Sequence, residues 1–292
     1  MDITTLMIAV FCLIDDLLAG KQLRKRGPLP ILRDSEVLTI EVIGEFLGID
    51  TETGIFTHFR RYYSDWFPGL KCIHRTTFTR QAANLWKVKQ DLWQAIGLLI
   101  PQDSCISIVD SFPVPVCRFA RANRCHSFGE TVAYGHDEVA RQTYYGWRAH
   151  VRLAWPGVLV NCVLSPADIH DTAGAAELLE NVCGFALADR NYWKPELFEQ
   201  LKANGLWLLA PYKSSKREKW SWPRRLTHAR YRIETVFGQL VERFHIKRVW
   251  ARDLWHLTSR WMRKFLSHTL AVFFCARYNQ ASFLSFAKLI QD

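Results

Sequence analysis

Two short apolar runs in this chain end in aspartate, ISIVD at Asp110 and FALAD at Asp189. Both read as β-strands, being brief, apolar and, in the first case, rich in β-branched residues. In open α/β sheets, functional groups collect beyond the carboxyl ends of parallel strands. If these two strands are parallel neighbours, their carboxylates stand close together at one edge of the sheet. Two anions so near each other repel unless something positive lies between them. A divalent cation is the usual solution, and Mg²⁺ commonly takes one or two carboxylates together with a substrate phosphate. Either aspartate alone reads as readily as a strand-ending turn residue; the reading gains weight from the two together and from a third acid.

That acid is Glu234, in RYRIETVFGQLVERF. Ile233, Val236, Phe237, Leu240 and Phe244 recur at helical spacing and define a buried stripe. Glu234 flanks the stripe, so it can lean toward the sheet. Arg230 and Gly238, four residues to either side, share its face. Arg230 could orient the carboxylate or hold a phosphate, and Gly238 leaves room for a metal or for DNA. Glu242, in VERFHIKR, reads instead as part of an exposed, salt-bridging face.

The elements that must position these acids follow from periodicity. Residues 1 to about 100 read as helical throughout, beginning with a stripe of Ile3, Leu6, Met7, Val10, Ile14 and Leu17. Asp15 and Asp16 interrupt that first helix too early for a membrane span, so it is expected to be a packed helix, neither anchor nor signal. A basic link, KQLRKRGPLP, leads to a second helix capped by Asp34 or Ser35. A third covers GIFTHFRRYY, and a fourth starts near Thr76 or Thr77. The head of this fourth helix, with Arg75, Arg80 and Gln81, is either a recognition helix for DNA or an ordinary amphipathic helix with solvated arginines. From residue 105 strands take over. CISIVDSFPVPVC is followed by a polar stretch, RFARANRCHSFGETVAYGHDEVARQT, expected to be a loop or insertion. YYGWRAHVRLAW and VLVNCVLSPA, separated by Pro156-Gly157, read as a β-hairpin. Next come a helix in DIHDTAGAAELLENV capped by Asp171 or Thr172, the strand GFALAD, a helix in KPELFEQLKANG and the strand LWLLAPY. The remainder from about Leu226 reads as helix. This order predicts a mixed α/β fold, with a five-stranded mixed sheet carrying helices on its faces. The expected divisions are 1–100 helical, 101–275 catalytic and 276–292 a helical tail.

Of the 292 residues, 49% are hydrophobic, enough for a sizeable core, and the formal charge is +10. Between Lys213 and Lys264 stand 15 lysines and arginines against Glu218, Glu234, Glu242 and Asp253, so this stretch carries the excess. Such a concentration is expected to form a phosphate-tracking surface. Its head, KSSKREKWSWPRR, sets Trp220 and Trp222 among Lys213, Lys216, Arg217, Lys219, Arg224 and Arg225. Basic residues there would follow a DNA backbone while the tryptophans stack on unpaired bases; otherwise this is a solvated loop whose tryptophans pack on the body. On the strand YYGWRAHV, Arg148 is a candidate for the scissile phosphate. In SPADIHD, Asp171 reads chiefly as a helix cap, with metal ligation the lesser alternative, and His170 is a neighbour of the site. The 8 cysteines contain no CxxC pair, and a zinc site through Cys117, Cys125 and His126 lacks a fourth ligand at regular spacing. A reducing, cytoplasmic setting without membrane attachment is expected.

Asp110, Asp189 and Glu234, in this order of strand, strand and helix, resemble the DDE triad of bacterial insertion-sequence transposases with an RNase H-like catalytic domain. The likeness is closest to the nine-eighty-two family of insertion sequences and runs through IVDSFPVPVC, YYGWRAHV, PADIHD, LADRNYW and RYRIETVFGQL. Arg230 and Glu234 keep the spacing of a signature common around the last acid, while Thr227 and Val241 stand where its tyrosine and lysine would be. The resemblance implies an RNase H-like domain after an all-helical N-terminal region for DNA binding or dimerisation. It implies that the three acids hold Mg²⁺ or Mn²⁺, as two ions, hydrolysing a phosphodiester at each element end and passing the freed 3′-hydroxyl into target DNA. It implies double-stranded DNA partners, namely the terminal inverted repeats and the target, and a homodimer in a bacterial cytoplasm near the nucleoid. A nuclease without strand transfer and a DNA-binding relic or repressor stand as alternatives.

Overall fold

The computed structural model describes residues 1–24, 26–125, 127–138, 140–212, 222–248, 251–278, 284–286 and 289. The chain divides into two compact units: Met1–Ile100 together with Gln239–Asp292, and Pro101–Gly238. Each is built around its own interior.

The second unit holds the sheet. Its strands are β1 (Asp103–Pro115), β2 (Ala133–Asp137), β3 (Gln142–Trp155), β4 (Val158–Pro166), β5 (Gly184–Leu187) and β6 (Leu206–Leu209). β3 pairs antiparallel with β1, β2 and β4, whereas β1–β5 and β5–β6 are parallel. Leaving β2 aside, the path β4-β3-β1-β5-β6 is the expected five-stranded mixed sheet. β2 is the sixth strand, and it falls inside the stretch expected to be loop. Its residues, AYGHD, alternate between half-buried and exposed, and its one large hydrophobic side chain, Tyr134, is on the exposed face, so no apolar alternation marks them. Helices α7 (Asp171–Leu178) and α8 (Pro195–Ala203) are the crossovers to β5 and β6. Leu178, Leu197 and Leu201 pack with Val109, Ala186, Ala188, Leu206 and Leu208 of the strands. Helix α9 (Arg224–Gly238) lies against β1, where Phe237 meets Phe112 edge-on with ring centroids 4.8 Å apart.

The first unit is helical: α1 (Ile3–Leu18), α2 (Asp34–Phe46), α3 (Glu52–Tyr62), α4 (Gly69–Cys72), α5 (Arg75–Asn84), α6 (Trp86–Leu98) and α10 (Leu254–Tyr278). The boundary drawn at residue 275 therefore falls within this unit rather than at its edge. The physical reason is α10, whose Trp261, Phe265, Leu266 and Leu270 are buried and which packs along α6, Phe265 lying 5.1 Å from the Trp93 ring. Nor is the stretch from Leu226 one continuous helix. After a π-turn at Gln239–Arg243, His245 takes a positive φ of 48°, and regular helix resumes at Leu254. The fourth expected helix is likewise split, α5 ending before Leu85 and α6 starting at Trp86. Helix α2 begins after Arg33, whose N–H donates to Glu36 Oε2 at 2.7 Å. Asp34, expected to cap it, instead pairs with Arg24 and accepts from Gln81 Nε2 at 2.8 Å. Among the described residues, no helix is long and apolar enough to cross a membrane.

The interior of the helical unit carries charge. Lys89 of α6 is fully buried, 2.6 Å from Glu41 of α2. Arg263 and Lys264 of α10, also buried, reach Glu45 at 2.5 and 2.8 Å, and Arg260 pairs with Glu52. This narrows the expectation of a phosphate-tracking surface between Lys213 and Lys264. Three of its cations, Arg260, Arg263 and Lys264, face internal glutamates and are unavailable to a polyanion. Removing one partner of a buried pair leaves an uncompensated charge. Lys89→Ala is therefore expected to destabilise this unit by about 3–5 kcal/mol, while Lys89→Met with Glu41→Leu recovers most of the loss. Urea denaturation of the three proteins measures both values.

Candidate functional site

The last parallel pair between β1 and β5 is Ile108 with Leu187. Asp110 and Asp189 each lie two residues further on, so they share one level and, side chains alternating along a strand, one face of the sheet. β1 continues as far as Pro115 against β3, with Asp110 opposite Val151, while β5 stops. Asp110 is thus set mid-strand on a rigid ladder, whereas Asp189 sits at a turn and accepts from the N–H of Asn191 at 2.9 Å. The Asp189 carboxylate disturbs Asp110. Burial first, and then the charge of Asp189, push the Asp110 carboxyl up to about 7, against the pull of the Ser111 N–H and Arg230. Asp189 is also raised, by burial and by the charge of Asp171, against hydrogen bonding from Asn191.

Glu234 does not enter this pair directly. It is half exposed on α9, and its Oε1 accepts from Arg230 Nη2 at 3.1 Å. Arg230 Nη1 lies 3.8 Å from Asp110 Oδ2. One guanidinium therefore links the third acid to the first, as the i, i+4 spacing on the helix permits. Among the described residues, no three His, Cys, Asp or Glu side chains converge tightly enough to form a ready-made metal cage. Gly238, one turn beyond Glu234, faces open space.

A fourth acid stands behind Asp110. Asp171 is buried and accepts from Ser111 Oγ at 2.6 Å and from Arg148 Nη1 at 3.3 Å. It is not the cap of α7: His170 is, its Nδ1 accepting from the Thr172 N–H at 3.3 Å. Arg148, expected to meet a phosphate, is instead held by Asp171 and by the His136 carbonyl, 3.2 Å from Nη2. His150 is buried 3.9 Å from Asp171 with its Nε2 2.8 Å from Ser165 Oγ, and burial lowers its pKa to about 4, so it is neutral at neutral pH. Tyr192 is fully buried, its hydroxyl raised well above the usual range by burial and by Asp110, Asp171 and Asp189. Sequence reasoning missed Ser111, Tyr192 and this use of Asp171. Only the motif LADRNYW pointed toward Tyr192.

The remaining candidates are spread out. Trp222 precedes α9, and Arg224 and Arg225 are exposed in its first turn. Arg75 and Arg80 are exposed on α5 of the helical unit, Arg75 donating to Thr53 Oγ1 at 2.8 Å, while Gln81 is buried and tied to the Leu32 carbonyl. Lys213, Lys216, Arg217, Lys219 and Trp220 lie outside the described residues, as does His126. Of the other two residues considered for zinc, Cys117 and Cys125 are near enough for each to influence the other.

The model of the transposase DDE domain matches residues 101–253, slightly more than half of the 292 residues, and the chain belongs to that family. Over 98% of its length it is also similar to a piggyBac transposase solved by cryo-EM in a synaptic complex with hairpin DNA. The identity is 11% and the TM-score 0.48, with 76% of that chain covered. No curated protein matches.

The Asp110 carboxyl gives a pH test of the metal-free protein. It ionises near pH 7 when folded and near pH 4 when unfolded, so the folded state keeps a proton that the unfolded state has lost, and stability falls as pH rises through that window. Asp110→Asn removes the penalty. In EDTA it should stabilise the protein by up to about 4 kcal/mol near pH 8 and by nothing below about pH 4. Equal effects at both pH values in urea titrations would contradict the assignment.

Proposed function

We propose that this chain is a DNA transposase that hydrolyses a phosphodiester at each end of an insertion-sequence element and joins the freed 3′-hydroxyl to target DNA. The observation that carries the reading is the placement of Asp110 and Asp189, each two residues beyond the last pair of two adjacent parallel strands, both resisting ionisation. Membership of the transposase DDE family gives that placement its chemical meaning. The finer affiliation, with the nine-eighty-two family of insertion sequences, rests on the motifs quoted above.

The donor set fits a hard divalent cation. Asp110, Asp189 and Glu234 offer only carboxylate oxygens, and burial with neighbouring carboxylates makes two of the three resist ionisation. These residues would hold Mg²⁺ or Mn²⁺, in one or two ions. When bound, such ions lower the pKa of a water or 3′-hydroxyl nucleophile and stabilise the leaving oxygen of an in-line displacement. The protein supplies the rest. β1 fixes the direction of Asp110, and Arg230 keeps Glu234 close by bridging it to Asp110. Arg224, Arg225 and Trp222, at the start of the same helix, would extend the contact along DNA, with Lys213, Lys216, Arg217, Lys219 and Trp220 preceding them in the chain. Arg75 and Arg80 would contribute from the helical unit, which we assign to end binding or to pairing of two copies in a homodimer.

Oligonucleotides carrying the inverted repeats that flank the gene test the proposal. In Mg²⁺ the protein should nick the repeat end and join it to a second duplex. Asp110→Asn, Asp189→Asn and Glu234→Gln should each reduce both reactions to background while leaving salt-dependent binding intact. Cutting without joining would identify a nuclease; binding without either reaction would identify a repressor or relic. Loss of binding together with cutting would mean that the acids serve folding.

A further inference from the structure

We propose that Asp171 is a positioning residue for phosphodiester cleavage, clamping from behind the strand that presents Asp110. The inference deepens the functional reading above and rests on it. Consecutive residues of a strand face opposite sides of the sheet, so Ser111 points away from the face that carries Asp110. On that rear face Ser111 Oγ donates to Asp171 Oδ1 at 2.6 Å, across 60 residues of sequence. The same oxygen receives Arg148 Nη1 at 3.3 Å, and Arg148 lies on β3 opposite Pro113, two residues past Ser111. Asp171 thus joins α7, β1 and β3 at the level where the parallel pairing of β1 with β5 has ended and backbone hydrogen bonds to β5 no longer hold that side of the strand.

Three features show that the position is built for an acid. Asp171 is 7% exposed, so its charge is not there for solubility. It has two donors, one of them a cation that itself is anchored to the His136 carbonyl, which meets the cost of burying a carboxylate. And α7 is drawn close to β3: a Cβ on Gly174 would come within 2.4 Å of the His150 ring, so only glycine lets the helix bring Asp171 this near. Capping of α7 is already supplied by His170, leaving Asp171 free of that local duty. The same carboxylate adds its negative charge to those around Asp110 and Asp189.

The test uses the full-length protein and repeat-end DNA, measuring kcat and KM for cleavage in Mg²⁺ and the melting temperature of each variant. Misplacing a catalytic group by a fraction of its reach costs about 10–100-fold in rate, so Asp171→Ala should lower kcat by that factor with KM for DNA unchanged. Ser111→Ala should lower kcat in the same way, and the double variant should be no slower than Asp171→Ala alone, because both remove one contact. Asp171→Asn keeps the acceptor for Ser111 and should recover part of kcat. Unchanged kcat in Asp171→Ala, multiplicative losses in the double variant, or a rise in KM with kcat intact would each overturn the clamp. If Asp171→Ala fails to fold, Ser111→Ala and Asp171→Asn decide: kcat equal to wild type in both refutes it. A wild-type protein that does not cut refutes the functional reading, whereas a cutting wild type with an equally active Asp171→Ala refutes only the clamp.

Discussion

Like charges that must share a buried edge are the constraint around which the sheet-bearing unit is arranged. Asp110 and Asp189 reach one level because β1 and β5 are parallel neighbours in register, and the backbone N–H groups of Ser111 and Asn191 offset only part of the penalty that this register sets. The chain answers in two ways. It brings one cation, Arg230, to Asp110 from α9, and it lets the carboxyls keep their protons more tightly than exposed aspartates do. Neither answer is complete. An active site often accepts such residual penalties because a ligand removes them, and the affinity for a cation is then partly the relief of strain already present.

The helical unit shows the opposite solution to buried charge. Lys89, Arg263 and Lys264 are as deeply enclosed as any leucine, yet each meets a glutamate at short range. Paired this way the charges offer little to a ligand. Their value lies in register, since a glutamate on α2 accepts only the helix that presents its cation at the right turn. Residues from both ends of the chain supply these partners, which is why Gln239–Asp292 belongs with Met1–Ile100.

Much of this was legible from the sequence, and the part that was not has a common cause. The strands around Asp110 and Asp189, the hairpin at Pro156-Gly157 and the helix of Glu234 announce themselves through local periodicity and turn chemistry. Arg230 was recognisable from its spacing to Glu234. What escaped depends on distant partners. Asp171 looks like a cap because capping is decided within three residues, whereas its donors Ser111 and Arg148 lie far away in the chain. The lysines and arginines of α10 read as surface because single-sequence reasoning cannot see Glu45 and Glu52 opposite them. β2 escaped because AYGHD lacks the apolar alternation that marks a half-buried strand.

These two uses of buried charge bear on where a polyanion can be held. A count of basic residues treats every lysine and arginine as available, but a cation contributes to phosphate binding only where its charge is not already neutralised at close range. Arg260, Arg263 and Lys264 fail that condition, and Arg148 fails it through Asp171. Arg224 and Arg225 meet it on exposure, being in the first turn of the helix that also bears Arg230 and Glu234. One helix therefore carries the third acid, the cation beside the first acid and two exposed arginines. Its amphipathic packing through Ile233, Val236 and Phe237 fixes all of them at once against β1. Anything that shifts α9 along the sheet moves the acid and the basic residues together, so the positions of Glu234, Arg230 and the two exposed arginines are set by the same apolar contact.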